Sequence, residues 1–148
     1  MRRTKFVVVA LILFAGSVVS DAAAPELVQV GNLKVETKID GMGRPAVIFE
    51  SGFTGGVFLW QPVQSEVRHA LTLSYERAGL GRSDPGPEPR GAEQIARELH
   101  ALLAAKAIPP PYILVGHSAG GLFVRVFAHA YPKESAGLVL IDPATEED

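Results

Sequence analysis

The sequence of 148 residues contains no cysteine. Without cysteine the chain can form no disulfide bond, bind no metal through a thiolate and use no thiol as a nucleophile. The chain also lacks a large excess of either charge: its formal net charge is −2, and basic residues cluster only in the opening segment MRRTK. The chain therefore lacks the positively charged stretch typical of nucleic-acid-binding proteins, and we expect no nucleic-acid partner.

Apolar and charged residues occur in the proportions of a globular domain. Hydrophobic residues make up 47% of the chain and charged residues 20%, which argues against a disordered polypeptide. A chain of 148 residues corresponds to one domain that is long enough to bury a hydrophobic core.

The first residues have the three-part composition of a secretory signal peptide. The basic segment MRRTK precedes an uncharged apolar run, Phe6–Val19, and small residues follow in SDAAAP. A membrane-spanning helix needs ~20 apolar residues, more than this run contains. We expect residues 1–22 to be cleaved after Ala22 and the protein to be exported, to the periplasm or the exterior. The alternative is an uncleaved signal, in which residues 6–19 anchor the protein to a membrane.

Strands and helices are predicted to alternate along the rest of the chain. Short apolar runs bounded by glycine and proline indicate strands, and apolar residues that recur every three or four positions indicate helices. The predicted strands are two in LVQVGNLKVETKID, turning at Gly31-Asn32, then AVIFE, LTLSYE, YILVG and AGLVLID; the predicted helices run from Val57 to about His69, from Ala92 to the prolines at 109–111, and from Ala119 to Tyr131. This order predicts an α/β fold, with a mostly parallel sheet and helices on both of its faces.

The motif GHSAGG, residues 116–121, lies where a predicted strand gives way to a helix. Ser118 could cap the helix, or the turn could bind phosphate, although it matches neither phosphate-binding glycine motif and has no lysine. The third interpretation is a nucleophile elbow, G-x-S-x-G, for which the strand before and the helix after are the required context. Glycine at positions 116 and 120 fits a sharp turn with the helix close to its strand.

Four segments in order resemble the N-terminal half of α/β-hydrolase fold proteins, of the serine-nucleophile, esterase-like type. The resemblance extends from about Leu27 to Pro143 and is carried by AVIFESGFTGG, YERAGLGRSDPG, YILVGHSAGGLFVRVFAHAYP and AGLVLIDPA. The chain departs from many members at Ser51-Gly52, where they have His-Gly, although other members have Ser-Gly. The resemblance assigns residues 25–148 to a partial α/β-hydrolase domain.

This resemblance implies a set of site residues. Ser118 corresponds to the nucleophile, in an elbow formed with Gly116, His117 and Gly120. The backbone N–H groups of Ala119 and Phe53 correspond to the oxyanion hole, although the ring of Phe53 could also simply cover the core.

The nucleophile also indicates the reaction. Similar proteins that cleave haloalkanes or epoxides have aspartate at the elbow, so a serine implies acyl transfer to water from an ester, thioester or amide. The partner is then a small-molecule acyl substrate. No cofactor and no metal are expected, because acyl transfer needs neither and no His/Asp/Glu cluster has the spacing of metal ligands.

A catalytic acid and base are harder to find. In this fold the acid and then the histidine follow the serine in chain order. Asp142, at the end of the last predicted strand, is the candidate acid, although it could instead form the turn at Pro143. The histidines are His69, His100, His117 and His129, and none follows the last strand, so no residue of this chain is a candidate base.

The last predicted strand raises a second question. Its residues, LVLI, are typical of a strand buried on both faces, yet no segment follows that could cover its edge. We expect the chain to be a fragment or an early-terminated product of a longer hydrolase. Two alternatives remain: a short protein that binds a partner through this edge, and a non-catalytic binding module. The sequence does not identify a protein partner.

Overall fold

The computed structural model describes residues 23–144. The predicted signal peptide, residues 1–22, and the last residues, 145–148, lie outside the described part. The strands are β1 (Glu26–Val30), β2 (Leu33–Asp40), β3 (Ala46–Glu50), β4 (Thr72–Tyr75), β5 (Tyr112–Ser118) and β6 (Ser135–Pro143). The helices are α1 (Val57–Gln64), α2 (Ala92–Ala105) and α3 (Ala119–Ala130).

The described strands form one sheet in the order β1-β2-β4-β3-β5-β6. β1 and β4 each pair with β2 in antiparallel fashion, whereas β4, β3, β5 and β6 run parallel to one another. The prediction of an α/β fold with a mostly parallel sheet is thus confirmed. Because parallel strands end at the same edge of a sheet, the segments that follow β3, β4 and β5 begin at one edge, and in open α/β sheets this is the edge where ligands bind.

Helices cover both faces of the sheet, as predicted. On one face α2 and α3 pack over the larger core, whose fully buried side chains include Ile48, Leu73 and Leu114. On the other face α1 places Trp60 against Phe49, with ring centroids 4.8 Å apart, beside Val115. Successive residues of β3 and β5 therefore serve opposite cores, since side chains alternate across a strand.

The second helix has the predicted apolar stripe but ends earlier than predicted. All of the stripe is buried: Ile95, Ala96, Leu99, Leu102 and Leu103. The helix ends at Ala105 rather than at the prolines, because Ala107 adopts a φ of 50° and the backbone leaves the helical path there. The N–H of Ile108 donates to the carbonyl of Leu103 at 3.0 Å. This bond is typical of a helix whose C-terminus is capped by a residue in the left-handed conformation.

The first helix is also shorter than predicted, and ends at Gln64 instead of near His69. The side chain of Gln64 is buried and bonds to β4, accepting from the Ser74 hydroxyl at 2.6 Å and donating to Thr72 Oγ1 at 3.1 Å. These bonds tie the end of the helix to the sheet, and the chain turns away after them.

β6 has the exposed apolar edge that the sequence implied. The predicted strand is present, but its four apolar residues are 40–45% exposed: Leu138, Val139, Leu140 and Ile141. Within residues 23–144, β6 pairs only with β5, so it forms an edge of the sheet. A strand with the composition of a doubly buried one is thus half exposed in this structure, and the exposed apolar edge that the sequence implied is observed.

Candidate active site

The turn at Ser118 joins β5 directly to α3 with no intervening residue. Ser118 has φ 53° and ψ −127°, a conformation that residues with a side chain rarely adopt. Its side chain makes no capping hydrogen bond to α3, so the interpretation of Ser118 as a helix cap is wrong. A strained serine between a strand and a helix, at the carboxyl edge of a parallel sheet, has the geometry of a nucleophile elbow.

Two glycines make this turn possible. A Cβ added at Gly116 would lie 2.6 Å from the carbonyl oxygen of Gly120. A Cβ added at Gly120 would lie 2.4 Å from the carbonyl oxygen of Glu50 and 2.7 Å from that of Ser51. All three distances are far below van der Waals contact. α3 can therefore begin against the ends of β3 and β5 only because these positions have no side chain.

The loop after β3 lies beside the serine. A Cβ built on Gly52 would be 3.1 Å from Ser118 Cβ and 3.5 Å from Ser118 Oγ. The structure thus brings together the two segments predicted to carry the oxyanion hole, with Phe53 next in this loop. The ring of Phe53 is 74% exposed and meets the ring of Phe123 edge-on at 6.4 Å, so it does not cover the core. Ala119 is buried as the first residue of α3, where backbone N–H groups have no partner within the helix.

A cleft of about 510 Å³ opens at this edge. Its lining consists of the loop after β3, the start of α1 and the elbow, namely Gly52, Phe53, Thr54, Gly55, Gly56, Phe58, Leu59, Glu76, His117 and Ser118. Phe58 is 77% exposed at its rim. Glu76 is buried, and its Oε1 accepts a hydrogen bond from the N–H of Val57 at 2.9 Å, which fixes the start of α1. The cleft therefore combines an apolar rim with a serine and a carboxylate.

A buried ion pair supports the loop from behind. Arg77 Nη1 lies 2.5 Å from Glu50 Oε1, and both side chains are almost fully buried. The Tyr75 hydroxyl also donates to Glu50. Burial raises the pKa of the Glu50 carboxyl, and this rise is opposed by the Arg77 charge and by the hydrogen bond from Tyr75. The same environment raises the pKa of Tyr75 well above its ordinary value, through burial first and the Glu50 charge second.

Arg77 and Glu50 are functional candidates that were not predicted from the sequence. One signal was available: each charged residue lies at or just beyond the end of an apolar strand, in AVIFE and LTLSYER. In a parallel sheet these ends lie side by side, so opposite charges there can pair. Their function as a pair depends on the conformation of the loop after β3, to which Arg77 bonds, and the sequence pattern does not predict that conformation.

Asp142 lies on β6, the strand beside Ser118. The register shifts between these strands, with His117 opposite Ile141 and Ser118 opposite Pro143, so Asp142 is an extra residue in a bulge. Its φ is 41°, and its side chain is exposed. Bulges of this kind often occur beside active sites, where they redirect a side chain. The structure therefore places the candidate acid on the strand next to the one that ends at Ser118, but gives it no partner among residues 23–144.

The histidines do not complete a catalytic group. His100 stacks on Tyr131 with ring centroids 4.0 Å apart and lies 3.2 Å from a carboxylate oxygen of Glu134. His129 is in the last turn of α3, roughly 16 Å from Ser118 along the helix axis at about 1.5 Å per residue. His69 precedes β4, at the opposite edge of the sheet.

His117 lines the cleft beside the serine, but its Nδ1 is buried without a hydrogen-bond partner. None of the hydrogen bonds within the described part of the chain joins a histidine to the Ser118 hydroxyl.

No group of three or more His, Asp and Glu side chains between residues 23 and 144 is placed to hold a metal ion. No helix in the same range has the length and hydropathy needed to cross a membrane.

The fold and the elbow together define a class: an α/β protein with a serine at the carboxyl edge of its parallel strands. A family model of the alpha/beta hydrolase fold matches residues 45–148. The chain belongs to the α/β-hydrolase fold family, which confirms the resemblance inferred from the four sequence segments.

Known relatives agree on the family and are longer. The uncharacterized protein YqjL of Bacillus subtilis is 32% identical over 105 residues, which are 70% of this chain and 42% of that protein. The (lyso)-N-acylphosphatidylethanolamine lipase of Mus musculus is 32% identical over 104 residues, 68% of this chain and 30% of the lipase. A thermophilic esterase from Thermogutta terrifontis shares the fold with a TM-score of 0.72 and 22% identity, over 84% of this chain and 49% of that structure. The chain thus spans less than half the length of each.

Proposed function

We propose that this chain carries the nucleophile and the oxyanion hole of a serine hydrolase that cleaves an ester, thioester or amide. The observation that carries the proposal is the conformation of Ser118, held at φ 53° between β5 and α3 on the wall of an open cleft. Strain of this kind persists only where the surrounding structure imposes it, and it occurs mostly at functional sites. One relative, at 32% identity, is a lipase, which supports hydrolysis as the reaction.

The chemistry begins with attack by Ser118 Oγ on the carbonyl carbon of the acyl substrate. The new C–O bond forms as the carbonyl electron pair moves to oxygen, and the hydroxyl proton passes to a base. The tetrahedral intermediate then collapses, the bond to the leaving group breaks, and the leaving group takes up a proton. Water repeats these steps on the acyl-enzyme, which releases a carboxylic acid and restores the Ser118 hydroxyl.

Two backbone donors would stabilise the oxyanion in this proposal, namely the N–H of Ala119 and the N–H of Phe53. Ala119 begins α3, so its N–H lies at the positive end of the helix dipole. Phe53 follows Gly52, whose Cα lies beside Ser118. One such donor stabilises the transition state by about 3 kcal/mol.

The proposal requires a base that none of the four described histidines supplies. We assign it to a histidine outside these 148 residues, which is consistent with the greater length of the relatives. Asp142 is the proposed acid, because it projects from a bulge at the end of the strand that adjoins Ser118. A polypeptide of these 148 residues alone should therefore leave Ser118 without activation.

The rim of the cleft favours an apolar acyl group. Phe53 and Phe58 are each more than 70% exposed, and Leu59 is 45% exposed, so apolar surface lies in solvent beside the nucleophile. Covering it with an alkyl chain would be favourable by roughly 25 cal/mol per Å² of apolar area removed from water. We propose a small-molecule acyl substrate whose acyl chain contacts these side chains.

A fluorophosphonate probe tests the proposal, because it reacts only with an activated serine. The full-length protein that contains this sequence should be labelled at Ser118, and the label should disappear in Ser118→Ala. Ser65→Ala is the matched control, since Ser65 is an exposed serine on the surface whose hydroxyl donates to the carbonyl of Pro62. Absence of labelling in the folded full-length protein would overturn the proposal.

A non-catalytic binding module is the second candidate, and it is favoured because no histidine within residues 23–144 bonds to Ser118. In that case the cleft binds an acyl compound without cleaving it. Binding of an ester to the full-length protein by calorimetry, with no release of acid over hours, would support this alternative.

We propose export as the localisation of the mature protein, with residues 1–22 as a signal peptide and residues 25–148 as the partial hydrolase domain. The support is the sequence pattern at the N-terminus. N-terminal sequencing of the protein from the producing cells tests this: a first residue of Ala23 in an exported fraction agrees with it. An intact Met1 in a membrane fraction would indicate the alternative anchor at residues 6–19.

A further inference from the structure

Arg77 makes more contacts with the loop after β3 than an ion pair requires. Its Nη1 donates to Glu50 Oε1 at 2.5 Å and to the carbonyl of Ser51 at 2.7 Å. Its Nη2 donates to the carbonyl of Gly52 at 2.6 Å and, less closely, to that of Phe53 at 3.4 Å. Nη2 thus makes no bond to Glu50, and within the described part of the chain its acceptors are backbone oxygens of this loop.

These bonds determine the direction of the neighbouring N–H groups. The carbonyl of Gly52 and the N–H of Phe53 belong to one planar peptide unit and point in opposite directions when the unit is trans. Because Arg77 holds the Gly52 carbonyl, the Phe53 N–H points away from Arg77. Arg77 is buried behind the loop and is absent from the lining of the cleft, whereas Ser118 and Phe53 both line it.

The guanidinium is fixed from several sides. Glu50, which is 1% exposed, holds Nη1, and the Phe123 ring lies 5.0 Å from the guanidinium carbon. Arginine suits this position because its planar fork can bond to a carboxylate and to carbonyls at the same time. A lysine would keep the positive charge beside Glu50, but a single ammonium group cannot span the same set of acceptors.

We propose that Arg77 is a positioning residue that turns the Gly52–Phe53 peptide so that the Phe53 N–H faces the oxyanion beside Ser118. This inference rests on the proposed function for its catalytic consequence, but its structural part stands independently. In this proposal Arg77 affects kcat without contacting the substrate, because it orients the backbone N–H of Phe53 that does.

The test compares Arg77→Lys with Tyr75→Phe in the full-length protein. Tyr75→Phe is the matched control, because it removes a buried hydrogen bond to Glu50 and leaves every contact of Arg77 in place. Both variants should lower the thermal midpoint. Only Arg77→Lys should lower kcat for an ester, by roughly 10- to 100-fold with KM within about threefold, since a misaimed oxyanion donor acts in the transition state. If kcat of both variants falls in proportion to their loss of stability, the proposal is wrong.

Crystal structures of the same proteins give a readout that does not depend on activity. In Arg77→Lys the Gly52–Phe53 peptide should rotate, so that the Phe53 N–H no longer faces Ser118, whereas Tyr75→Phe should keep the parental orientation. An unchanged peptide in Arg77→Lys overturns the proposal. If the peptide rotates but the parental protein neither hydrolyses esters nor reacts with a fluorophosphonate, the positioning role stands and the proposed hydrolase function fails.

Should Arg77→Lys not fold, the double variant Glu50→Gln with Arg77→Gln replaces it, because that pair buries no charge. The same two readouts then apply.

Discussion

Gly120 packs directly against the backbone of Glu50: a Cβ at position 120 would lie 2.4 Å from the Glu50 carbonyl oxygen. This contact joins α3, the helix that follows Ser118, to the end of β3, the strand that leads into the loop beside Ser118. A side chain at position 120 would clash with backbone atoms, because the added Cβ would also lie 2.7 Å from the carbonyl oxygen of Ser51. Neither oxygen can move without shifting that loop.

We expect Gly120→Ala to destabilise the protein by about 1–3 kcal/mol, the range for overpacked sites. Helix propensity alone would favour alanine by about 1 kcal/mol, so the steric contact decides the sign. Gly137→Ala is the control, since a Cβ there meets nothing within 4 Å. Urea unfolding followed by circular dichroism measures both. A Gly120→Ala variant as stable as the parent would contradict the packing described here.

Most of the fold was predictable because it rests on local patterns. The buried stripe of α2 follows from residues spaced for one helix face, and β3 and β5 follow from short apolar runs between glycine and proline. The glycines around Ser118 were also predictable, since a sharp turn before a helix needs positions without side chains. Helix ends were less predictable. α2 ends where Ala107 adopts a positive φ, and alanine, unlike glycine, does not indicate such a conformation in the sequence.

The support behind the site was not predictable from sequence patterns. Arg77 lies in a turn-rich segment where charged residues are usually exposed, and its burial depends on the carbonyls of residues 51–53, distant in the sequence. Gln64 is similar, because a glutamine on an amphipathic helix is usually on the solvent side. The burial of such residues can be recognised only once the positions of their hydrogen-bond partners on other elements are known.

Gln64 should be important for stability although it is polar. It is 1% exposed and bonds to the Thr72 and Ser74 side chains of β4. Gln64→Leu would leave the Ser74 hydroxyl buried without its acceptor, so we expect a loss of about 1–3 kcal/mol in the free energy of unfolding. The same substitution at Gln61, which is exposed on α1, should change it by less than about 0.5 kcal/mol. Equal effects at the two positions in chemical unfolding would refute this role.

The stability of the protein should fall at alkaline pH because of Tyr75. Burial, and then the Glu50 charge, raise the pKa of Tyr75 well above the ordinary 10.0. The folded state therefore keeps a proton that the unfolded state releases above its own pKa of about 10. This contribution to stability is complete below that pH and is lost as the pH rises through the folded pKa, at about 1.4 kcal/mol per pH unit.

Denaturant unfolding at several pH values above 10.0, the ordinary tyrosine pKa, measures this slope. In Tyr75→Phe the contribution of this group should be missing, so the free energy of unfolding should decline less steeply with pH than in the parent. The absolute stability of the variant at neutral pH does not enter the comparison. Identical slopes for the two proteins would show that Tyr75 is not the titrating group.

The exposed apolar residues of β6 should make the isolated polypeptide self-associate. Val139 and Ile141 are 45% and 44% exposed on a strand whose outer edge is unpaired within residues 23–144, and such edges pair with other chains. We expect sedimentation velocity of residues 23–148 to show association that grows with concentration, and Val139→Lys to shift the population toward monomer. Gln29→Lys on β1, the opposite edge strand, is the control and should leave association unchanged, because β1 lacks a comparable apolar run. A parental polypeptide that is monomeric at all concentrations tested, or equal effects of the two lysines, would show that the edge formed by β6 does not drive association.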